Sequence, residues 1–231
     1  MKTIGLLGGM SWESSLEYYR IINQMVKERM GGLHSAKCLL YSVDFQEIET
    51  LQHQGLWDEA GRLLGKAAGA LQKGGADFLL ICTNTMHKVA PDVQQQISIP
   101  LLHIADPTAK RILSQGIRKI GLLGTRFTMQ EDFYKGKLVQ GHGLEVLTPG
   151  DADMDMVHHV IFEELCLGLV KDFSRERYIA VIKRLAAAGA EGVILGCTEI
   201  GLLIKQSDST IPLFDTTLIH AQAAVDYALA S

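Results

Sequence analysis

The chain has 231 residues, of which 47% are hydrophobic and 21% charged, the balance of a globular protein with a full core. A net charge of −4 provides no basic stripe to neutralise phosphates, so nucleic acid is not an expected partner. The dispersed cysteines Cys38, Cys82, Cys166 and Cys197 form no CxxC pair, which argues against a zinc knuckle, a thioredoxin-type couple and a disulfide framework.

Taken in chain order, the sequence opens on a short apolar run of strand length that flows straight into a helical pattern, unlike a secretory leader. No apolar stretch is long enough to span a membrane. The expectation is a cytoplasmic protein. Ser14 and Glu17 are spaced for a capping box. Leu16, Tyr19, Ile22 and Val26 follow at helical spacing, and Gly31-Gly32 stop the helix. The runs Leu39–Val43, Phe78–Ile81 and Val193–Leu195 read as buried strands. Helices are expected over Trp57–Lys73, Ala105–Ser114, Asp155–Leu167, Ser174–Ala188 and His220–Ala230.

Three pairs of segments recur in the same order. Ile4-Gly5-Leu6-Leu7-Gly8 matches Ile120-Gly121-Leu122-Leu123-Gly124 at an offset of 116. Gly75-Ala76-Asp77 matches Gly189-Ala190-Glu191 at 114, and Ile99-Pro100-Leu101 matches Ile211-Pro212-Leu213 at 112. Ordered matches with slowly drifting offsets indicate two copies of one unit. Strands alternating with helices make each copy α/β with a mainly parallel sheet. The expected organisation is two similar doubly wound domains, 1–102 plus 215–231 and 103–214, facing each other across a cleft that holds the active site.

Ligands of parallel α/β sheets sit at the carboxyl ends of the strands. Four such ends carry small polar residues: Gly8-Gly9-Met10-Ser11, Thr83-Asn84-Thr85, Gly124-Thr125-Arg126 and Cys197-Thr198-Glu199. Their glycines fit neither GxGxxG nor a Walker loop, so a nucleotide is not indicated. For any one loop, a plain tight turn is the competing reading. Cys-Thr blocks ending matching strands in both copies argue for chemistry. A substrate carbon between two such ends can lose a proton to one side and gain one from the other. That inverts a stereocentre without a cofactor, with a thiol as base.

The stretches "VILGCTEIGLL" and "LLICTNTMH" resemble the two cysteine motifs of the aspartate/glutamate racemases, and "GLLGGMSWES" and "PLFDTTLIHAQAAV" resemble other segments of that family. The likeness runs the whole chain and is strongest to the bacterial L-aspartate/glutamate-specific branch. It implies two α/β domains with pseudo-twofold symmetry, no pyridoxal phosphate or other cofactor, no metal, a homodimer, and L-aspartate and L-glutamate as substrates. The first motif departs from the family's "CNT": Cys82 is followed by Thr83 and only then by Asn84. Anchoring on Asn84-Thr85-Met86-His87 puts Thr83 at the family's cysteine position. Anchoring on the internal repeat at Gly75 and Gly189 also pairs Thr83 with Cys197, and Cys82 with Gly196, without a gap. Pairing Cys82 with Cys197 instead needs a one-residue gap, which turns a strand side chain to the other face. Cys82 stays the alternative catalytic residue.

The expected roles follow. Cys197, as a thiolate lowered towards neutrality by helix N-termini, takes the α-proton, and Thr83 delivers or relays one to the opposite face. Met10, Ser11, Asn84, Thr85, Thr125 and Thr198 hold the substrate, joined by likeness to the family by Gln52. Glu199 orients Cys197 or the substrate ammonium. Arg126 and Lys88 are candidates for the distal carboxylate, otherwise surface charges. His87 either polarises the site or is structural, and Trp12 either walls the pocket or packs. Cys38 and Cys166 read as packing thiols, and His158-His159 as a solvated or capping pair. Related hydantoin racemases, maleate isomerases and arylmalonate decarboxylases, or a non-catalytic carboxylate-binding protein, are the alternatives.

Overall fold

The computed structural model describes residues 1–230. In chain order the elements are β1 (Ile4–Gly8), α1 (Trp12–Met30), β2 (Cys38–Ser42), α2 (Phe45–His53), α3 (Trp57–Lys73), β3 (Phe78–Ile81), a 3-10 turn (Thr85–Val89) and α4 (Ala90–Gln95). Then come α5 (Ala105–Leu113), β4 (Lys119–Gly124), α6 (Arg126–Gln130), α7 (Asp132–His142), β5 (Glu145–Leu147), α8 (Asp151–Glu163), a 3-10 turn (Leu165–Leu167) and α9 (Asp172–Ala187). The chain ends with β6 (Gly192–Gly196), α10 (Ile200–Leu203), a 3-10 turn (Gln206–Asp208), β7 (Leu213–Asp215) and α11 (Thr216–Leu229).

The chain divides into two compact units, Met1–Ile104 with the segment from His220 onward, and Ala105–Ile219. The divisions fall after Ile104 and Ile219 rather than after residues 102 and 214. Ile104 stays with the first unit because its N–H is held by His87. The first turn of α11 stays with the second because the Thr216 hydroxyl donates to Leu195 O at 2.8 Å.

The first unit carries a three-stranded sheet in the order β2-β1-β3, parallel throughout. Strand alternation sorts its core into two layers. Ile4, Leu6, Phe78, Leu80 and Cys82 pack with Tyr18, Ile22 and Val26 of α1 and Ala221, Ala224 and Val225 of α11. Leu7, Leu79 and Ile81 point the other way, onto Leu64, Ala67, Ala68 and Leu71 of α3 and Val93 of α4. Burying one such Leu or Ile contributes about 1.5–3 kcal/mol, which is why the apolar runs Phe78–Ile81 and Val193–Leu195 read correctly as buried, two-faced strands. Leu39–Val43, expected to be buried too, falls mostly on the edge strand β2, where Leu40 and Tyr41 are exposed. The second unit carries four parallel strands in the order β5-β4-β6-β7.

The expected helix Trp57–Lys73 has those bounds. The expected capping box at the start of α1 is replaced by another arrangement. Ser11 is the N-cap and accepts from Ser14 N. Glu17, free of any cap duty, pairs with Arg20 at 2.8 Å.

Candidate active site

In each sheet the chain starts on an inner strand, moves out to one neighbour and then crosses back to the other side. β1 is followed by β2 on one flank and β3 on the other, and β4 by β5 and then β6. The connections leave in opposite directions, so in each sheet the two loops (after β1 and β3, or after β4 and β6) stand at its switch point, where parallel sheets bind their ligands. These loops carry the four polar strand ends singled out from sequence.

The ladder registers align the two copies residue by residue. Leu7 lies opposite Ile81, and Leu123, its counterpart in the repeat, lies opposite Leu195. Cys82 N–H donates to Leu7 O at 2.9 Å, so the β3 ladder runs through Cys82 without a break. Cys82 therefore corresponds to Gly196, and Thr83 to Cys197. Cys82 is fully buried between α1 and α11. Desolvation pushes its thiol far above the ordinary range, and its carbonyl accepts from Ser14 Oγ at 3.1 Å. Its counterpart must be glycine: a Cβ at Gly196 would lie 2.7 Å from Leu123 O.

Cys197 Sγ donates to Glu199 Oε2 at 2.9 Å, and Thr198 Oγ1 donates to the same oxygen at 2.7 Å. Cys197, Thr198 and Glu199 are all buried. Burial first, and the Glu199 carboxylate second, hold the Cys197 thiol well above its usual range. The resting form is a thiol, not the lowered thiolate expected from helix N-termini. The helix that follows, α10, spans only Ile200–Leu203, and its dipole is overridden by a neighbouring full negative charge.

After β1 the chain turns at Gly9, whose φ is +92° and whose Cβ would strike the Val43 backbone, so only glycine fits. Ser15 Oγ accepts from Gly9 N at 2.8 Å and donates to Ser11 O at 2.9 Å. Ser14 Oγ is shared between Ser11 O and Cys82 O. Two serines of "SWESS" thus fix the first loop, Ser15 by closing it on itself and Ser14 by tying it to the end of β3. Residue order alone does not disclose this role of Ser14, because its bond to Cys82 O needs β1 and β3 to be neighbours. Met10, Ser11, Asn84 and Thr85 are buried beside it. Thr125 caps α6 by accepting from Thr128 N at 3.3 Å. Gln52 sits on α2, a helix not expected from sequence. Its Nε2 points at Met86 Sδ, and its Oε1 is buried with no partner. Buried oxygens without partners also occur at Glu13, after β1, and Thr217, after β7. A buried polar atom left unpaired costs about 1–3 kcal/mol, so each of these oxygens is a candidate to meet a ligand.

A family model described as "Asp/Glu/Hydantoin racemase" matches residues 7–224. The chain belongs to the Asp/Glu/hydantoin racemase family. It is 25% identical over 239 residues to RacX of Bacillus subtilis, a broad-specificity amino-acid racemase, covering 98% of each. A crystal structure from Yersinia pestis, assigned as an Asp/Glu racemase, superposes with a TM-score of 0.92 at 58% identity over 100% of both chains. An aspartate racemase homologue from Pyrococcus horikoshii OT3 superposes at 0.85 with 37% identity, again over 100% of both chains.

As a member of this racemase family, the chain has its two candidate cations engaged elsewhere. Arg126 pairs with Asp151 and Asp155 of α8, and Lys88 Nζ lies 3.8 Å from the Trp57 ring centroid. His158 Nδ1 accepts from Arg126 N at 3.2 Å, so it caps α6, while His159 is exposed. Cys38 and Cys166 are partly buried. Trp12 is 64% exposed on α1. Among the described residues no group of three or more His, Cys, Asp or Glu could hold a metal, and no helix is long and apolar enough to cross a membrane.

Proposed function

We propose that the protein racemises acidic amino acids, turning L-aspartate and L-glutamate into their D-forms by two-base proton transfer without pyridoxal phosphate. The observation that carries the reading is the common register position of Thr83 and Cys197 at the ends of β3 and β6, with Cys197 donating to a carboxylate. The Yersinia pestis chain at 58% identity supports the substrate class.

In this reading Glu199 Oε2 receives the Cys197 thiol proton, and the sulfur takes the α-proton of the L-substrate. A bound amino acid brings an ammonium charge to the pair, which favours the thiolate. The electron pair left on the α-carbon spreads into the substrate carboxylate. Thr83 delivers or relays a proton to the opposite face. Met10, Ser11, Gln52, Asn84, Thr85, Thr125 and Thr198 hold the substrate. A hydroxyl is a far poorer base than a thiolate, so at saturation the L-to-D turnover exceeds the D-to-L turnover. Because enantiomers have equal energies, kcat/KM is the same in both directions and the asymmetry is carried by kcat and KM separately. A cytoplasmic homodimer belongs to the same reading, and light scattering of the purified protein tests the dimer.

The deciding experiment incubates the purified, chelator-dialysed protein with L-aspartate or L-glutamate in D2O without added cofactor. Chiral chromatography and mass spectrometry should find the D-enantiomer carrying one α-deuteron. Activity only on hydantoins or maleate, or a strict need for pyridoxal phosphate or metal, overturns the proposal.

A further inference from the structure

His87 is buried, and the backbone holds both of its ring nitrogens. Nδ1 lies 2.8 Å from Thr83 O, and Nε2 lies 3.2 Å from Ile104 N. A backbone N–H can only donate, so Nε2 is the acceptor. The proton of the neutral ring is therefore on Nδ1 and donates to Thr83 O. The rings packed on it are also histidines: His103 at 4.5 Å and His220 at 5.8 Å between centroids. His220 is wired in the same way. Its Nε2 donates to Leu102 O and its Nδ1 accepts from Tyr18 OH, both at 2.8 Å. Burial and these two rings hold His87 well below the ordinary histidine range, so it stays neutral and its wiring is fixed.

The second unit solves the same local problem differently. The carbonyl equivalent to Thr83 O is Cys197 O, which accepts from Ile200 N at 3.1 Å. The residue equivalent to His87 is Gly201, where a Cβ would strike the Asp215 carboxylate. The turn that presents the thiol is thus fixed by its own backbone. The turn that presents the hydroxyl is fixed by an imidazole, which braces it to Ile104, the last residue of the first unit before α5.

We infer that His87 is a positioning residue for Thr83, holding the Thr83 peptide so that its hydroxyl faces the α-carbon. This rests on the proposed role of Thr83. A misplacement of about 1 Å at a reacting group costs roughly a hundredfold, and a hydroxyl relay has only one proton to aim. With both ring nitrogens held by the backbone, His87 is assigned no acid or base role.

Two substitutions divide the bonds of the ring. In His87→Asn the side-chain amide stands at the level of Nδ1 and can still donate to Thr83 O, while the Ile104 bond is lost. In His87→Gln the amide oxygen stands at the level of Nε2 and can still accept from Ile104 N, while the Thr83 bond is lost. For each variant, and for Thr83→Ala, two rates are measured in D2O: formation of the D-enantiomer, and entry of α-deuterium into recovered L-substrate. The second reports the Cys197 side alone. The expected result is that Thr83→Ala and His87→Gln lower the ratio of the first rate to the second by about tenfold or more. His87→Asn should hold it within about threefold of the parent.

If Thr83→Ala lowers the ratio and His87→Gln does not, or if the Asn and Gln variants fall equally, this inference is overturned while the reading of Thr83 stands. If Thr83→Ala leaves the ratio unchanged, the Thr83 reading fails and takes the inference with it. A measurement on the parent protein needs no variant to fold. Histidine-labelled nitrogen-15 NMR should show a persistent Nδ1–H tautomer at His87 across the active pH range. A ring protonated on Nε2, or one that titrates within that range, overturns the assignment.

Discussion

The ends of β3 and β6 occupy the same place in two copies of one sheet, yet they hold different chemistry. The end of β6 presents Cys197, whose thiol donates to a buried carboxylate. The end of β3 presents Thr83, whose carbonyl is held by an imidazole. One residue earlier the contrast reverses: β3 carries a thiol at Cys82 and β6 carries Gly196. The Cys82 thiol fits because that face meets the small Ala221 and Ala224 of α11, while the matching face at Gly196 is closed by Leu123 O at 2.7 Å. A cysteine inside a recognisable motif can therefore be a core residue. What decides its role is the face of the strand on which it lies.

The largest expected effect strikes the β6 side. Cys197→Ala removes the base and should cut racemisation by roughly a hundredfold to ten-thousandfold, measured by chiral chromatography. Near-parent turnover would remove Cys197 from the mechanism.

Next is the carboxylate that distinguishes this end from the other. Glu199→Gln deletes the charged acceptor of two buried hydrogen bonds. Hydrogen bonds to charged groups contribute about 1.5–3 kcal/mol, so a loss of about ten- to a hundredfold in kcat is expected. The sign for the thiol is opposite: without the neighbouring negative charge the Cys197 pKa comes down, and alkylation at neutral pH should quicken. Slower alkylation would show that the carboxylate lowers the thiol rather than raising it.

A smaller effect separates Thr83 from Cys82. Thr83→Ala should lower L-to-D turnover about tenfold, while Cys82→Ala keeps turnover within about threefold and costs on the order of 1 kcal/mol of stability through lost packing. Thr83→Cys makes the two ends alike, and should raise D-to-L turnover relative to L-to-D at saturation. Should Cys82→Ala prove as damaging as Cys197→Ala while Thr83→Ala stays active, the register argument is wrong.

The smallest effect concerns pH. Folded His87 is neutral with a depressed pKa, whereas the unfolded imidazole titrates near 6.5. Below that value the unfolded state binds the extra proton. The contribution of His87 to stability is therefore full above about pH 6.5 and is lost as pH falls towards the folded pKa. The slope is at most about 1.4 kcal/mol per pH unit. Denaturant melts of the parent and His87→Asn between pH 5 and 7 should differ by this one-proton dependence, and parallel curves would show that His87 is not the group responsible.

Much of this was legible in the residue order. Near-continuous apolar runs marked β3 and β6, and Trp57–Lys73 was read as a helix with the bounds of α3. The repeat at Gly75 and Gly189 placed Thr83 opposite Cys197, because a parallel sheet keeps register wherever both faces are buried. The short helix α2 was not legible: nine residues of "FQEIETLQH" bury chiefly Ile48 and Gln52, too few turns for a periodic signal. α7, eleven residues long with two internal glycines, was missed for a similar reason, since glycine weakens a helical pattern. Nor could sequence give the partners of the charged groups. Arg126 and Lys88 stood at strand ends as candidate ligands, and distant residues, Asp151, Asp155 and Trp57, took them.

The amino-acid order by itself determined which side chains reach the strand ends, because alternation and repeat are local and periodic. Only the tertiary structure decided their protonation and their wiring: the Cys197 thiol kept protonated beside Glu199, the buried thiol of Cys82, and the bonds of His87 to Thr83 and Ile104. Desolvation and hydrogen bonding depend on what the folded chain brings within about 3 Å: Glu199 and Thr83 are near Cys197 and His87 in sequence, but the burial of Cys82 against α11 and the Ile104 bond to His87 need distant segments to pack.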